Sequence, residues 1–265
     1  MTVTTTTTET TTETAPRLYW WRELITIAAF YGVYTLIRNQ GIAHDSSGEA
    51  RRNALQMIRV EEFLSSFHEK AIQDFFIDTR WFIEFWNVFY GTAHFVVTIV
   101  AIVWLFRKAP DRYPTWRNTL AVTVAIALLG FTLYPLMPPR LLPAHYGFVD
   151  TLQTIGGLWS FDSGTMSKIS NQYAAMPSLH CAWATWCTFV LTPGLKHWWS
   201  KALMISYPFV TLFAIVVTAN HYWIDAAGGA AALGLGYLIG GKLLTNAVQR
   251  RTVRRRSVVT TPAAP

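Results

Sequence analysis

The chain has 265 residues, 52% of them hydrophobic and only 14% charged, with a formal net charge of +7 and a mean hydropathy of +0.25. So apolar a composition excludes an ordinary soluble domain of this size; apolar windows of about 20 residues, the length a helix needs to cross a bilayer, organise the sequence instead. The only cysteines, Cys181 and Cys187, are six residues apart in one apolar window. They fall on different helix faces, so they suggest neither a disulfide nor a thiolate metal site and read as small apolar fillers.

The chain opens with MTVTTTTTETTTET, which is polar and has no basic residue. It does not look like a signal peptide, and residues 1–16 are expected to form a disordered Thr-rich tail. Six apolar windows follow: Leu18–Ile37; Trp81–Phe106, interrupted by Glu84 and His94; Leu120–Met137; the short Pro177–Leu191; Ala202–Ala219; and Tyr222–Leu244. The fold expected from them is an all-α integral membrane protein, a six-transmembrane-helix bundle over residues 17–245. Residues 246–265 form a basic tail.

Between the first two windows, GEARRNALQMIRVEEFLSSFHEKAIQDFFID repeats apolar residues mostly three to five apart, from Leu55 and Ile58 to Phe75 and Phe76. That pattern predicts an extra amphipathic helical segment, continuous or broken, lying on the membrane surface or capping the bundle over a polar cavity. After the third window, PLMPPRLLP has four prolines, which work against a continued helix and leave Arg140 just outside the membrane.

Charge sets the expected orientation. Basic residues cluster at Arg107–Arg117, at Lys196 and Lys201, and at Gln249–Ser257, and with six spans these all fall on the face that also has Arg17 and Arg22. The opposite loops, Arg38–Arg80 and Pro138–Met176, hold 8 Lys/Arg against 9 Asp/Glu. The positive-inside rule then puts both termini in the cytoplasm, and the Arg-rich tail reads as a topology anchor or a contact for anionic lipid rather than for nucleic acid.

This topology brings three polar features to the extracytoplasmic face: Arg140 after the third span, His180 opening the fourth, and His221 with Asp225 between the fifth and sixth. His221 and Asp225 are four apart, so on a helix the carboxylate can hold one imidazole nitrogen and leave the other basic. Pro177 suits the first position of a helix, and His180 then projects from a first turn whose free N–H groups favour an anion. A phosphate ester fits such a site: Arg140 neutralises charge, His221 attacks and His180 protonates the leaving oxygen, with no metal or other cofactor required. Taken alone, each histidine also has a structural reading, as a capping, core or hydrogen-bonded residue.

PSLH (Pro177–His180) and HYWID (His221–Asp225) resemble the second and third motifs of the type 2 phosphatidic acid phosphatase superfamily. PPRLLP (Pro138–Pro143) and NQYAAMPSLHCAWA are similar to its inositol-phosphorylceramide-synthase-like branch. The resemblance implies that His221 becomes phosphorylated, Asp225 orients it and His180 protonates the leaving group. It also implies a lipid phosphate or phospholipid substrate in a multi-pass protein of the cell membrane. The chain departs from the phosphatase signature in having no Lys in the third span before Arg140, and Ile215 where an Arg precedes the nucleophilic His. Lys168, Arg80 and Arg38 are the candidates to replace those cations.

Ser178, Lys168, Asn220 and His94 join Arg140 as expected substrate-binding residues. His94 has a second reading, as a buried His bonded to a neighbouring helix, and Asn220 another, as a helix cap. Gly236 and Gly240 have the spacing of a close helix contact, either a dimer seam or packing within the bundle. The alternatives in function are a lipid phosphate phosphohydrolase that releases phosphate to water and, in another class, a transporter or metal-binding membrane protein.

Overall fold

The computed structural model describes residues 47–156 and 172–248, together with residues 19, 21, 23, 25, 28 and 32. The Thr-rich tail, the basic tail beyond residue 248, most of the first apolar window, Arg38 and Lys168 lie outside the described residues. Within them the protein is all-helical, with one isolated parallel bridge between Leu136 and Ala174.

The amphipathic segment consists of two helices. In α1 (Ser47–Phe63), Ala50, Asn53, Ala54, Ile58 and Glu61 are buried; the spacing of three and four residues aligns them on one stripe. The chain reverses at Ser65, which has a positive φ of 53°, and α2 (Glu69–Phe76) buries Glu69 and Gln73. Phe63, Leu64 and Phe75, around this reversal, are exposed. Asn53 Nδ2 donates to the Pro135 carbonyl at 2.8 Å. The Gln73 amide pairs with both backbone groups of Val149, each at 2.9 Å. The two helices are thus fastened over the segment that contains Arg140.

The bundle comprises α3 (Arg80–Lys108), α4 (Tyr113–Leu133), α5 (Leu179–Leu191), α6 (Trp198–Val217) and α7 (Trp223–Gly236), the last continued by π-helical Tyr237–Leu244. Four helical stretches among the described residues are long and apolar enough to cross a membrane: Arg80–Lys108, Tyr113–Leu133, Trp198–Val217 and Trp223–Val248. They make this a multi-pass membrane protein. The fourth apolar window forms a helix of 13 residues, about 20 Å long at 1.5 Å per residue. This α5 packs against α3, α4, α6 and α7 and buries Cys181, Ala182, Ala184, Trp186, Cys187 and Val190. Both cysteines are free thiols.

The bundle is apolar outside as well as inside. Phe95, Ile99, Leu133, Leu203, Phe209 and Leu243 are all exposed, as a lipid-facing surface requires. Several helix hydroxyls are satisfied locally: Thr92, Thr123, Thr185 and Thr218 each donate to the carbonyl four residues earlier, which removes the cost of a free donor at membrane depth. The glycine seam lies within the bundle. A methyl on Gly236 would strike Thr123 Oγ1 and the Thr119 carbonyl, and one on Gly240 the Asn118 carbonyl, so these positions let α7 and its continuation approach the backbone of α4.

Two boundaries depart from the sequence reading. The third window was expected to run to Met137, but α4 stops at Leu133 with Tyr134 at φ −141° and ψ 70°, because Pro135 disfavours a helical residue before it. Pro177 was expected to open the fourth helix, but Ser178 is the N-cap and the helix starts at Leu179.

Candidate active site

The turn between α6 and α7 orients the first group of residues. Ala219 takes a left-handed φ of 54°, and the Ile215 carbonyl accepts from both Asn220 N and His221 N, at 2.9 and 3.2 Å. The chain thereby reverses direction, with His221 just before the N-cap Tyr222 and Asp225 at the third position of α7. Asp225 Oδ2 accepts from the Tyr222 backbone N–H at 3.0 Å and lies 3.2 Å from His221 Nδ1. A carboxylate at the third helical position that reaches back to the N-cap is half of a capping box. Here the same oxygen also holds Nδ1 of the imidazole, which fixes the tautomer with Nε2 unprotonated. Asp225 is fully buried and His221 is 3% exposed.

The head of α5 docks against this dyad. Ser178 N donates to the Asp225 carbonyl at 2.9 Å, and Ser178 Oγ accepts from Cys181 N at 3.5 Å. Ser178 is fully buried; its hydroxyl therefore serves the cap and its N–H ties the two helix heads together. Gly229, one turn beyond Asp225, faces the Ser178 carbonyl so closely that a Cβ would collide with it. His180, in the first turn of α5, has its ring centroid 5.4 Å from that of His221, with the planes at 67°. On its other sides Tyr90 stacks at 4.4 Å and His94 lies edge-on at 4.3 Å. His94 Nδ1 donates to the Tyr90 carbonyl at 2.9 Å, so its Nε2 is the nitrogen left to other partners. His94 therefore bonds within its own helix, not to a neighbouring one as the second reading expected, and its ring stands beside that of His180.

Arg140 lies in a 3-10 turn, Pro139–Leu141, held by its backbone N–H donating to the Ala219 carbonyl at 2.9 Å. Its Nε donates to Asn220 Oδ1 at 2.9 Å and its Nη1 to Asp150 Oδ2 at 2.6 Å. Asn220 in turn donates through Nδ2 to Thr218 Oγ1 at 2.8 Å, and Asp150 Oδ1 caps the turn Thr151–Thr154 by accepting from Leu152 N and Gln153 N. The guanidinium is thus fixed on two edges, and among the described residues its Nη2 has no acceptor. Asn220 does not cap α7, as one reading expected; it orients Arg140.

Arg140, His180, His221, Asp225, Ser178, Asn220 and His94, separated by up to 131 positions in sequence, come together at the heads of α5 and α7. Ile215 is fully buried and contributes only its carbonyl. Sequence reasoning missed Asp150, Tyr90, Glu61 and Glu69. The last two had a signal: Glu61 falls on the apolar stripe of α1, where a charged residue is out of place, and Glu69 opens a helix whose buried face is otherwise Gln73.

A sequence model described as the PAP2 superfamily matches residues 55–239. Phosphoinositol dihydroceramide synthase from Bacteroides thetaiotaomicron is 26% identical over 165 residues, which cover 58% of this chain and 54% of the relative. The chain therefore spans about half the length of that relative. No solved structure matches the chain. The matched span holds every described residue of the site, with PSLH and HYWID in the order the superfamily requires. The chain belongs to the PAP2 superfamily, the type 2 phosphatidic acid phosphatases, alongside its inositol-phosphorylceramide-synthase-like branch.

Proposed function

We propose that the protein is a membrane-embedded lipid phosphotransferase that works through a phosphohistidine intermediate, moving a phospho-headgroup from a phospholipid to a lipid alcohol. The observation that carries this reading is the arrangement of His221 and His180. The first is held by Asp225 at Nδ1, 3.2 Å away, and the second faces it at 5.4 Å between ring centroids. In the first half-reaction, His221 Nε2 attacks phosphorus and the bond to the glycerolipid oxygen breaks. His180 gives that oxygen a proton, and the lipid leaves as a neutral alcohol. In the second half, His180 takes the proton of the acceptor hydroxyl as that oxygen attacks phosphorus, and Nε2 is released. Arg140 meets the developing charge on the phosphoryl oxygens through Nη2.

The synthase relative supports inositol-phosphoryl transfer as the specific reaction, and the lost Lys and Arg of the phosphatase signature agree with an acceptor other than water. Four apolar helices and the exposed residues of α1 and α2 support a substrate drawn from the bilayer. The charge distribution supports cytoplasmic termini, with the site on the outer face of the cell membrane.

The test is acid-labile, base-stable labelling of the protein with a phosphate-labelled donor. His221→Ala abolishes the labelled intermediate. His180→Ala still labels from a nitrophenyl phosphate ester, whose leaving group needs no proton, and labels slowly from a lipid donor. Labelling of the His221→Ala protein, or equal impairment of His180→Ala on both donors, would refute these roles. Omitting and adding a lipid alcohol then separates transfer from hydrolysis.

A further inference from the structure

Three carboxyl side chains converge on the first turn of α7. Asp225 Oδ2 accepts from Tyr222 N at 3.0 Å, Glu69 Oε1 from Trp223 N at 3.2 Å and Glu61 Oε1 from Ile224 N at 2.8 Å. Consecutive N–H groups of one helix head are thus taken by residues of α7, α2 and α1 in turn. Glu61 and Glu69 are 1% and 0% exposed. Each has its other oxygen, Oε2, buried and without a partner among the described residues, as has Asp225 Oδ1.

Two negative carboxylates buried at neighbouring N–H groups repel each other, and a single proton between them would convert two orphan acceptors into one O–H···O bond. Burial, and then the neighbouring Glu69 carboxyl, push the Glu61 carboxyl up to about 9, against the lowering effect of the Ile224 N–H. The other charged groups acting on Glu61 are the carboxylates of Glu69 from α2 and Asp225 from α7, and both favour its neutral form.

We propose that Glu61 and Glu69 share one proton and together act as a positioning device for the His221–Asp225 dyad. The pair grips the N–H groups next to the one held by Asp225, so it fixes the azimuth of α7 and with it the direction of His221 Nε2. Sharing the proton leaves one negative charge beside Asp225 instead of two. When the proton is lost, a second negative charge appears at the helix head beside the dyad, and the dyad loosens.

The kinetic part of this inference rests on the role proposed above for the dyad; the protonation part does not. The experiment uses the full chain in lipid nanodiscs. Infrared titration follows the C=O stretch of a protonated carboxyl. The band is present at pH 7, disappears near pH 9 and is missing from Glu61→Gln. In parallel, kcat and KM are measured against pH. Glu61→Leu cannot accept from Ile224 N and lowers kcat by about tenfold or more with KM nearly unchanged. Glu61→Gln accepts from Ile224 and donates to Glu69 without a titrating proton; it recovers most of that loss and does not show the fall in kcat above pH 9. A carboxyl band that survives in Glu61→Gln, an alkaline limb identical to wild type in that variant, or full kcat in Glu61→Leu overturns the proposal. If Glu61→Leu does not fold, the band and the Glu61→Gln profile still decide. An inactive wild-type protein that shows the titrating band would defeat the enzymatic reading while leaving the shared proton in place.

Discussion

Asp225→Asn separates two ways in which a carboxylate can serve a histidine. From the i, i+4 spacing alone, the amide would be expected to turn its NH2 toward His221 and impose the wrong tautomer, a defect that costs about 10⁴-fold where a triad carboxylate is amidated. The structure argues otherwise. Asp225 Oδ2 already accepts from the Tyr222 backbone N–H at 3.0 Å as well as facing His221 Nδ1 at 3.2 Å. An amide must present its oxygen there to keep the backbone bond, so the tautomer survives and only the charge is lost. A hydrogen bond to a charged acceptor is worth about 1.5–3 kcal/mol against about 0.5–1.5 for a neutral one. The difference of about 1–1.5 kcal/mol predicts a loss of about tenfold in kcat. The NH2 then takes the place of Oδ1, buried without a partner among the described residues, which lowers folding stability by about 1–3 kcal/mol. The assay is single-turnover formation of the phosphoenzyme, with ¹⁵N resonances of His221 reporting the tautomer. A loss near 10⁴-fold with the proton moved to Nε2 would refute the reasoning.

Arg140→Lys should lose most activity while the protein folds, because a compact ammonium has no planar fork that meets Asn220 Oδ1 and Asp150 Oδ2 on two edges while a third faces phosphate; near wild-type turnover would move the phosphate contact elsewhere. Gly229→Ala, whose methyl would meet the Ser178 carbonyl, should cost about 1–3 kcal/mol in thermal unfolding through overpacking. Gly234→Ala, with open space around the new methyl, should be neutral or stabilising by up to about 1 kcal/mol; equal effects of the two would dismiss the close approach of α5 and α7. A cysteine placed at Ser47 should react with an impermeant thiol reagent in intact cells and one at Ser200 should not, and the reverse pattern would invert the proposed orientation.

The residues proposed to do chemistry were legible because their patterns are local. Pro177 and Ser178 mark the approach to a helix start, and the four-residue spacing of His221 and Asp225 brings the two together even though His221 precedes the N-cap. What escaped the sequence is what depends on chain reversal. Nothing near Asp150 indicates that its carboxylate closes on Arg140 ten positions earlier through a pair of turns, and Asn220 looked like a helix cap because the left-handed Ala219 could not be foreseen. Glu61 and Glu69 were passed over although Glu61 falls on the apolar stripe, since periodicity marks a buried stripe without saying what that stripe meets. The fourth window was short from the start, and its helix owes its central place to small residues, Ala182 and Ala184 among them, more than to apolar length.

The glycine seam has a consequence for biosynthesis. The surface of α4 that receives Gly236 and Gly240 presents the backbone of Asn118 and Thr119, and the residues that cover it are synthesised more than a hundred positions later. Until the end of the chain has left the ribosome and entered the membrane, that groove is open to lipid or to a small-residue helix of another nascent copy. The dyad sits at the head of the same late helix, so a chain interrupted before the seam closes has neither its final packing nor its proposed nucleophile. Assembly of the bundle and of the candidate site is completed by one insertion event.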